Sequence, residues 1–334
     1  MGNLYPELCL FENLLLAFKK ASRATKNKPE TLLYFYNLEQ NLTTLRERLE
    51  KETYRPGKYR TFEISDPKRR TISVSPFEDR VVHHAVVNIL EPVYERRFIY
   101  DSYATRKDKG THKAVRRAQT FLRTNKFYLK MDIHHYFDSV VQDTLINIIE
   151  TKIKDQRVMR LIEKIIRNGG DGVKGLPIGN LTSQFFANCY LDVFDHWIKD
   201  ENREKYYIRY MDDIVIFSND KEHLKNMRDY CRYELKNRLG LSLKEKATYI
   251  NTRQNGLSFL GTRIFPELIR INNKNLKRSL KRLKKTEQAF QKGLIEQQQF
   301  LQSATSIIAH LCQYDTWNLR NKFLRSFEET PLTM

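Results

Sequence analysis

The segment that decides the fold is Tyr206-Tyr207-Ile208-Arg209-Tyr210-Met211-Asp212-Asp213-Ile214-Val215-Ile216-Phe217. Two apolar runs rich in β-branched and aromatic residues flank a short acidic break, and this pattern predicts a tight hairpin with its strands in a core. Because aspartate is poor inside a strand and tolerated at a turn, Asp212 and Asp213 are predicted at the hairpin tip. Two adjacent like charges are costly unless a cation lies between them, and a divalent metal ion is the obvious candidate. Taken alone, an Asp-Asp pair more often marks an ordinary surface turn.

A third carboxylate upstream favours the metal site over the surface turn. The strand-like run Phe127-Tyr128-Leu129-Lys130-Met131 delivers Asp132 at its C-terminal end, and the chain then turns towards a helix. Carboxylates on neighbouring strands can hold two Mg²⁺ ions, which lower the pKa of an attacking hydroxyl and stabilise the leaving oxygens of a phosphoryl transfer. We therefore expect the three aspartates to form the centre of a phosphoryl-transfer site.

These segments resemble the palm motifs of reverse transcriptases. The resemblance rests on Lys130-Met131-Asp132 through Phe137-Asp138-Ser139, followed by the box Tyr210-Met211-Asp212-Asp213. The aromatic-x-Asp-Asp box is moderately specific alone and highly specific in this order with the blocks described below. The resemblance implies that the catalytic residues are Asp132, Asp212 and Asp213. It also implies two bound Mg²⁺ ions, for which Mn²⁺ can substitute, and a set of metal-binding residues made of Asp132, Ile133, Asp212 and Asp213.

The resemblance covers residues 34–283 and implies an α/β (α+β) fold, a right-hand polymerase with fingers, a palm of antiparallel sheet with helices, and a small helical thumb. We expect an N-terminal helical extension at residues 1–58, fingers at 59–125, a palm at 126–265 with part of the fingers inserted, and a thumb at 266–334. Leucines at helical spacing predict one helix from Glu30 to Glu52 in the extension. We expect no maturase, endonuclease or RNase H domain, which argues against a group II intron protein or a retroviral enzyme.

Composition points to a polyanionic partner. The 334 residues carry 59 Lys and Arg against 40 Asp and Glu, a net charge of +19, which favours nucleic acid. An anionic membrane is the second candidate, but the basic residues are spread along the whole chain. Glu7 and Glu12 interrupt the N-terminal apolar run, so no signal peptide is predicted, and no apolar stretch is long enough to span a bilayer. With four cysteines and no Cys-x-x-Cys pair, we expect reduced thiols and a location in the cytoplasm of a bacterial host cell.

A basic turn before the palm is expected to bind the incoming nucleotide. Residues 59–75 are predicted to form two strands around Asp66-Pro67-Lys68-Arg69-Arg70. The block Arg70-x-Ile72-x-Val74-x-Pro76 resembles the fingers motif of the family, which implies that Arg70 contacts the triphosphate, with Lys68 on the same turn. Arginine offers phosphate a planar fork and lysine a point charge. Locally, a solvated turn is an equally good interpretation.

The resemblance assigns two further residues to the nucleotide site. Phe137 lies five residues after Asp132, where an aromatic ring packs under the sugar and blocks a 2′-hydroxyl, so it would select deoxynucleotides. The alternative is a core phenylalanine. Lys246 falls near the lysine that can protonate pyrophosphate, in a palm block whose register leaves Lys244 as the alternative.

The Gly- and Pro-rich loop Gly175-Leu176-Pro177-Ile178-Gly179-Asn180-Leu181-Thr182-Ser183-Gln184 departs from the usual family pattern. Most reverse transcriptases have Gln-Gly-x-x-x-Ser-Pro here, whereas this chain has Ile178 and Gln184 at the first and last positions. This double change resembles the subgroup from diversity-generating retroelements of bacteria or phages, which misincorporate opposite template adenine. Both residues are assigned to the nucleotide site, where an apolar Ile178 cannot hydrogen-bond to hold the geometry of the base pair. Neutral drift in a loop is the alternative.

Contacts to the template and the duplex are expected at two places. Arg106 follows Tyr103-Ala104-Thr105 in a block that resembles the family's template-contacting segment. In the thumb, basic residues cover one broad face of a predicted helix, and a grip on a duplex backbone is expected there. A solvated basic face is the usual alternative for such a pattern. The thumb residues assigned to the duplex are Lys277, Arg278, Lys281 and Lys285.

The predicted reaction is RNA-directed DNA synthesis from dNTPs. The template would be a template-repeat RNA copied into cDNA with errors at adenines, for mutagenic retrohoming into a target gene. The partners implied are template RNA, cDNA, dNTPs and an oligomeric basic accessory variability protein, with no membrane. The alternatives are a retron-like or defence-associated reverse transcriptase and, from another class, a nucleic-acid-binding protein with an inactive palm. The three intact carboxylates speak against the last.

Overall fold

The computed structural model describes residues 3–65, 69–318 and 320–321. The N-terminal part of these ranges forms helices α1 (Tyr5–Cys9), α2 (Phe11–Ser22), α3 (Pro29–Tyr36) and α4 (Leu38–Glu50). The single helix predicted from Glu30 to Glu52 is wrong, because Asn37 leaves helical geometry with ψ 42° and separates α3 from α4. The leucines at helical spacing do form the buried side of α4.

The fingers region begins with an antiparallel hairpin of β1 (Arg60–Ile64) and β2 (Arg70–Val74), as its sequence predicts. Helices α5 (Phe77–Glu95) and α6 (Thr111–Thr124) follow. Near the start of α5, the buried Asp79 accepts hydrogen bonds from Tyr54 Oη at 2.6 Å and from the Gly57 amide at 2.8 Å. These bonds fix the segment between α4 and β1 to the fingers helix.

The palm is a four-stranded antiparallel sheet in the order β4-β5-β3-β6. Its strands are β3 (Phe127–Asp132), β4 (Tyr207–Tyr210), β5 (Asp213–Ser218) and β6 (Tyr249–Thr252). Side chains alternate between the faces, so one core cluster receives Met131 and Ile214 while the other receives Tyr128 and Phe217. Because the sheet is covered on both faces, its central strands are almost entirely apolar.

Helices accompany the palm strands. They are α7 (Tyr136–Ser139), α8 (Gln142–Glu150), α9 (Gln156–Arg167), α10 (Leu181–His196) and α11 (Lys221–Leu239). A π-helical turn, Trp197–Glu201, extends α10. At the start of α11, the Asp220 carboxylate accepts from two backbone amides, which explains why the helix begins there. None of the helices in the described ranges is both long and apolar enough to cross a membrane.

A second antiparallel sheet, β7 (Leu257–Phe259), β8 (Thr262–Ile264) and β9 (Ile269–Ile271), leads into the thumb helices α12 (Asn273–Gln291) and α13 (Gln297–Cys312). Buried side chains of both thumb helices join the same cluster as this sheet and one face of the palm. The predicted palm–thumb boundary at residue 265 falls between the paired strands β8 and β9. The small sheet therefore connects palm and thumb.

Candidate active site

The tip of the β4–β5 hairpin consists of Met211 and Asp212. Tyr210 and Asp213 pair directly across it, so the turn is as tight as the sequence predicts. Met211 adopts φ 56°, a left-handed conformation that L side chains rarely take. Such strain persists only where the surrounding structure holds it, and it is concentrated at functional sites. The turn brings two adjacent carboxylates to one end of the palm sheet.

Asp132 and Asp213 lie on the same face of that sheet. The β3–β5 register places them directly opposite each other, and opposed side chains in an antiparallel pair stand about 5 Å apart at Cβ. Both are partly exposed, whereas Tyr128 and Phe217, further along the same face, are buried. The structure thus brings the three predicted catalytic aspartates together at the edge of the core.

Lys130 partly offsets this negative charge. Its Nζ lies 3.1 Å from Asp213 Oδ1 and donates a hydrogen bond to the Ser258 carbonyl at 2.9 Å. The Lys130 side chain is only 15% exposed, so this ion pair is screened less than a surface pair. Lys130 therefore links the hairpin carboxylate to β7.

Burial raises the pKa of Asp212 to about 6. The negative charges of Asp132 and Asp213 act in the same direction, while the positive charge of Arg70 opposes them. A carboxylate whose charged form is disfavoured by burial and by like charges is stabilised by a nearby cation. Arg70 at the start of β2 is therefore near enough for its charge to act on Asp212.

The donor atoms of this site suit a hard divalent cation, because all of them are carboxylate oxygens. Among the described residues, however, no trio of His, Cys, Asp or Glu side chains is arranged to hold a metal ion as it stands. Ile133 has no ligand atom in its side chain, which is buried, so only its backbone carbonyl could serve. The metal-binding roles of these residues remain predictions.

A buried ion pair lies beneath the hairpin. Arg209 on β4 and Asp195 on α10 are both fully buried, and the guanidinium donates two hydrogen bonds from Nε, at 2.7 and 3.0 Å, and one from Nη2, at 2.6 Å. Its Nη1 donates to Asn188 Oδ1 at 3.0 Å and to the carbonyl of Met211 at 3.2 Å. Tyr207 Oη also donates to Asp195, at 2.6 Å. Arg209 therefore connects the strained hairpin tip to the core of the palm.

The loop that contains Ile178 is docked on the fingers strand β2. The Ser73 amide donates to the Ile178 carbonyl at 2.8 Å, and Asn180 Nδ2 donates to the Ser73 carbonyl at 3.2 Å. Gly179 has φ 116°, and a Cβ there would lie 2.9 Å from Ile72 Cγ2, so only glycine fits. This contact places Ile178 beside the strand that begins with Arg70. Lys68 lies outside the described residues.

Phe137 and Gln184 occupy partly buried positions around the same loop. The Phe137 carbonyl accepts from the Leu176 amide at 2.8 Å, and its ring packs edge-on against Tyr136. Gln184 Oε1 accepts from Thr105 Oγ1 at 3.2 Å, which joins α10 to the segment before α6. Because the ring of Phe137 is partly exposed and not sealed in the core, it remains accessible for the predicted contact with a sugar.

The structure distinguishes the two candidate palm lysines by register. Leu243 pairs with Ile133, and the Lys244 amide donates to the Asp132 carbonyl at 2.8 Å. Lys244 is therefore directly across from Asp132, and opposed residues share a face. Lys246 lies in the 3₁₀ turn Glu245–Ala247 and is exposed. The register favours Lys244 over the predicted Lys246.

The predicted nucleic-acid contacts differ in accessibility. Arg106 is turned inward with its side chain 5% exposed, and it bonds Glu95, the Ile99 carbonyl and the Ser102 carbonyl. Its guanidinium therefore has an internal structural role, and the prediction that Arg106 contacts the template is not supported by this geometry. The thumb residues assigned to the duplex are exposed on α12, as predicted: Lys277, Arg278, Lys281 and Lys285.

A family model described as reverse transcriptase (RNA-dependent DNA polymerase) matches residues 63–264, which include all three aspartates. The chain belongs to the reverse transcriptase family. It is accordingly an RNA-directed DNA polymerase, as the motif order predicts, and members of this family bind template RNA and nucleotides and use divalent metal ions.

The chain is also similar to other proteins in sequence and, for one solved structure, in fold. Protein YkfC of Escherichia coli K12 is 27% identical over 269 residues, which span 67% of this chain and 71% of that protein. The group II intron-encoded protein LtrA of Lactococcus lactis subsp. cremoris is 28% identical over 170 residues, 48% of this chain and 28% of LtrA. A telomerase structure from Candida albicans superposes with TM-score 0.52 at 11% identity, covering 67% of this chain and 48% of that one. The right-hand polymerase fold is confirmed.

Two residues of this reverse transcriptase site were not predicted as functional. Lys130 could have been identified from the sequence, because side chains alternate along β3 and Lys130, two residues before Asp132, lies on the same face. Arg209 stands out as a charge inside an apolar strand, a position where a charge needs a buried partner. That partner is on α10, so sequence could indicate the need but not the residue.

Proposed function

We propose that this reverse transcriptase copies a template-repeat RNA into cDNA with frequent errors opposite template adenines. The cDNA would then diversify a target gene by mutagenic retrohoming. The observation that carries the proposal is Ile178, which replaces the usual glutamine in a loop docked on the strand of Arg70. An apolar side chain there removes a polar group that would hold the geometry of the incoming nucleotide and the template base.

The loop that contains Ile178 is fixed against β2, so the apolar side chain that replaces glutamine has a defined position. Gly179 leaves no room for a side chain against Ile72 and Ser73, and the Ile178 backbone is bonded to β2. The loop therefore cannot shift to bring another polar group into the place of the missing one. A lost hydrogen bond of about 1.5 kcal/mol corresponds to roughly tenfold weaker discrimination between nucleotides.

Each named residue has a proposed role in nucleotide addition. Asp132, Asp212 and Asp213 would hold two divalent ions, which supply charge stabilisation for the attacking and leaving oxygens. Arg70 would contact the triphosphate, and Phe137 would exclude a 2′-hydroxyl. Lys244, on the face of Asp132, would donate a proton to the leaving pyrophosphate.

A faithful reverse transcriptase of the group II intron, retron or defence type is the second candidate. It is favoured by the similarity to LtrA, a group II intron-encoded protein. The two candidates differ in fidelity, since a faithful enzyme would misincorporate no more often opposite adenine than opposite the other bases.

We also propose an oligomeric basic accessory variability protein as a partner, in the cytoplasm of a bacterial host. Two basic proteins repel each other, so their contact should be apolar and local, with RNA offsetting the repulsion. Helix α3 exposes such a surface, because Leu33 is 79% and Tyr36 87% exposed. Size-exclusion chromatography of the mixed proteins after nuclease treatment tests this contact. The Leu33→Ser, Tyr36→Ser double variant should elute alone, and an unchanged complex would place the contact elsewhere.

The fidelity test compares the wild-type chain with Ile178→Gln. Both copy an RNA of defined sequence with balanced base composition, and the cDNA is sequenced. We expect wild-type errors concentrated opposite adenine and a roughly tenfold decrease in those errors for Ile178→Gln.

The matched control is Ile178→Val, which stays apolar and should retain the wild-type error spectrum. A uniform error rate across the four template bases in the wild-type chain would reject the mutagenic proposal and leave the faithful polymerase. If Ile178→Gln leaves the bias for errors opposite adenine unchanged, Ile178 is not the cause of that bias.

A further inference from the structure

A cleft at the base of the thumb is lined by four arginines. Its two adjoining cavities, of about 480 and 470 Å³, share Phe265 and Arg270. The arginines come from four separate segments: the last turn of α6, the 3₁₀ turn after β6, β8 and β9. We call this the arginine cleft, and its arginines are Arg123, Arg253, Arg263 and Arg270.

The Arg253 side of the arginine cleft lies at the opposite end of β3 from Asp132. The Arg253 amide bonds to the Lys126 carbonyl, just before β3 begins, whereas Asp132 ends β3. Six steps of extended strand, from Lys126 to Asp132, separate these two positions by about 20 Å. The side of the cleft that contains Arg123 and Arg253 is therefore remote from the aspartates, whereas the second cavity extends to Ser258, whose carbonyl accepts from Lys130 beside Asp213. None of the predicted site residues lines either cavity.

The guanidinium groups in the cleft are oriented by neutral partners. Arg123 Nε donates to the Pro266 carbonyl at 2.9 Å, and Arg253 Nη1 donates to the Arg123 carbonyl at 3.0 Å. Arg263 donates twice to the Asn255 carbonyl, at 3.0 and 2.6 Å. The Arg270 Cζ lies 5.6 Å from the centre of the Phe265 ring.

These contacts position positive charge without neutralising it. Within the described ranges, none of the four arginines has a carboxylate oxygen within 4.0 Å, although Glu267 also lines the cleft. On α11, by contrast, Arg228 is paired with Asp229 and Arg238 with Glu201. Four like charges gathered around one cleft repel each other unless an anion binds there.

We propose that the arginine cleft binds a segment of single-stranded RNA outside the polymerase site. Each guanidinium keeps N–H donors that carbonyls do not occupy, and its planar fork matches a phosphodiester group. Several forks around a cavity suit a chain of phosphates better than one isolated anion, and Phe265 adds an aromatic surface for a base. The choice of RNA over DNA rests on the proposed function. The binding of a polyanion rests only on the charge of the cleft.

The experiment measures binding of a fluorescein-labelled oligoribonucleotide of about 15 nucleotides, without primer, by anisotropy over a range of KCl concentrations. The full chain is compared with the Arg253→Gln, Arg270→Gln double variant. Loss of two phosphate contacts should lower the slope of log K against log salt by about 1.4 and weaken binding roughly tenfold. Arg253→Lys with Arg270→Lys keeps both charges and should restore the slope, which separates lost charge from lost folding.

The matched control is Arg228→Gln with Arg238→Gln, which changes the net charge equally on a face where carboxylates already pair with the arginines. It should leave the slope unchanged. Equal slopes for the wild type and the cleft variant, or equal losses in the cleft and control variants, would overturn the proposal. The proposal would also be overturned if the cleft variant lost binding of a polyglutamate probe but still bound RNA at the wild-type level.

The outcome is separable from that of the proposed function. Extension of a short oligo(dT) primer on poly(rA) should be unchanged in the cleft variant, since the ion pair of Asp213 is made by Lys130, which the variant keeps. Ile178→Gln should change the error spectrum without changing the salt slope. Failure of either result leaves the other proposal standing.

Discussion

Replacing Arg209 should separate the stability of the palm from the activity of its hairpin. Arg209 and Asp195 are both 0% exposed, and the guanidinium makes three of its hydrogen bonds to this carboxylate. Arg209→Met leaves Asp195 buried and without its cation, with only Tyr207 still donating to it. Breaking a buried pair in this way costs about 3–5 kcal/mol, so we expect a large decrease in the urea midpoint.

A double variant tests the reason for that loss. Arg209→Met with Asp195→Leu removes both charges, and replacing a buried pair by apolar residues is often nearly neutral, so most of the stability should return. Activity should not return, because the double variant still lacks the Arg209 guanidinium. In the wild-type chain its Nη1 donates to the Met211 carbonyl at 3.2 Å and so holds the strained turn. A lost hydrogen bond of about 1.5 kcal/mol predicts a roughly tenfold decrease in kcat.

The assay is primer extension at a temperature where both variants are folded, with the free energy of unfolding measured on the same preparations. Asp195→Asn is the matched control, because it keeps Arg209 and its contact to Met211. A double variant that regains both stability and full kcat would refute the positioning role and leave Arg209 purely structural.

Four further predictions concern single side chains. Asp212→Asn keeps the size of the side chain but removes charge from the cation site, so primer extension should fall by orders of magnitude while RNA binding persists; extension at the wild-type rate would contradict the metal assignment. Phe137→Ala should admit ribonucleotides, and an unchanged dNTP/rNTP preference would return Phe137 to a packing role. Lys244→Met should slow single-turnover nucleotide addition more than Lys246→Met, and the opposite order would restore Lys246. Burial, together with the neighbouring His84, lowers the pKa of His83 to about 3 from 6.5. Below pH 6.5 the unfolded chain therefore binds a proton at His83 that the folded chain does not, and this residue should lower the free energy of unfolding by about 1.4 kcal/mol per pH unit. In urea titrations His83→Leu should remove this contribution and leave that of His84, whose pKa burial lowers to about 4; an unchanged pH dependence would contradict the prediction.

The hairpin could be predicted because its information is local. An acidic break between two β-prone runs specifies a turn, and the structure pairs Tyr210 with Asp213 across it. The turn towards a helix after Asp132 was predicted for the same reason, and α7 begins at Tyr136. The helix break at Asn37 was missed because the regularly spaced leucines begin only at Leu38, so their spacing carries no signal of where the helix starts.

The partners of charged residues could not be predicted, because they depend on contacts between distant segments. The sequence around Arg106 suggested an exposed template contact, yet Glu95 and two carbonyls hold its guanidinium inside. The choice between Lys244 and Lys246 required the pairing of Leu243 with Ile133, more than a hundred residues away.

The arginine cleft could not be predicted either, because its arginines are distant in the sequence and come together only in the fold. In the sequence, Arg123 and Arg253 are separated by residues that form most of the palm, so no local pattern marks them as a group. Folding brings them together because β6 pairs with β3, which starts shortly after α6 ends. A net charge of +19 indicates a polyanion but not its location. The location depends on which arginines the fold leaves without carboxylates, and this distinction separates the cleft from the ion-paired surface of α11.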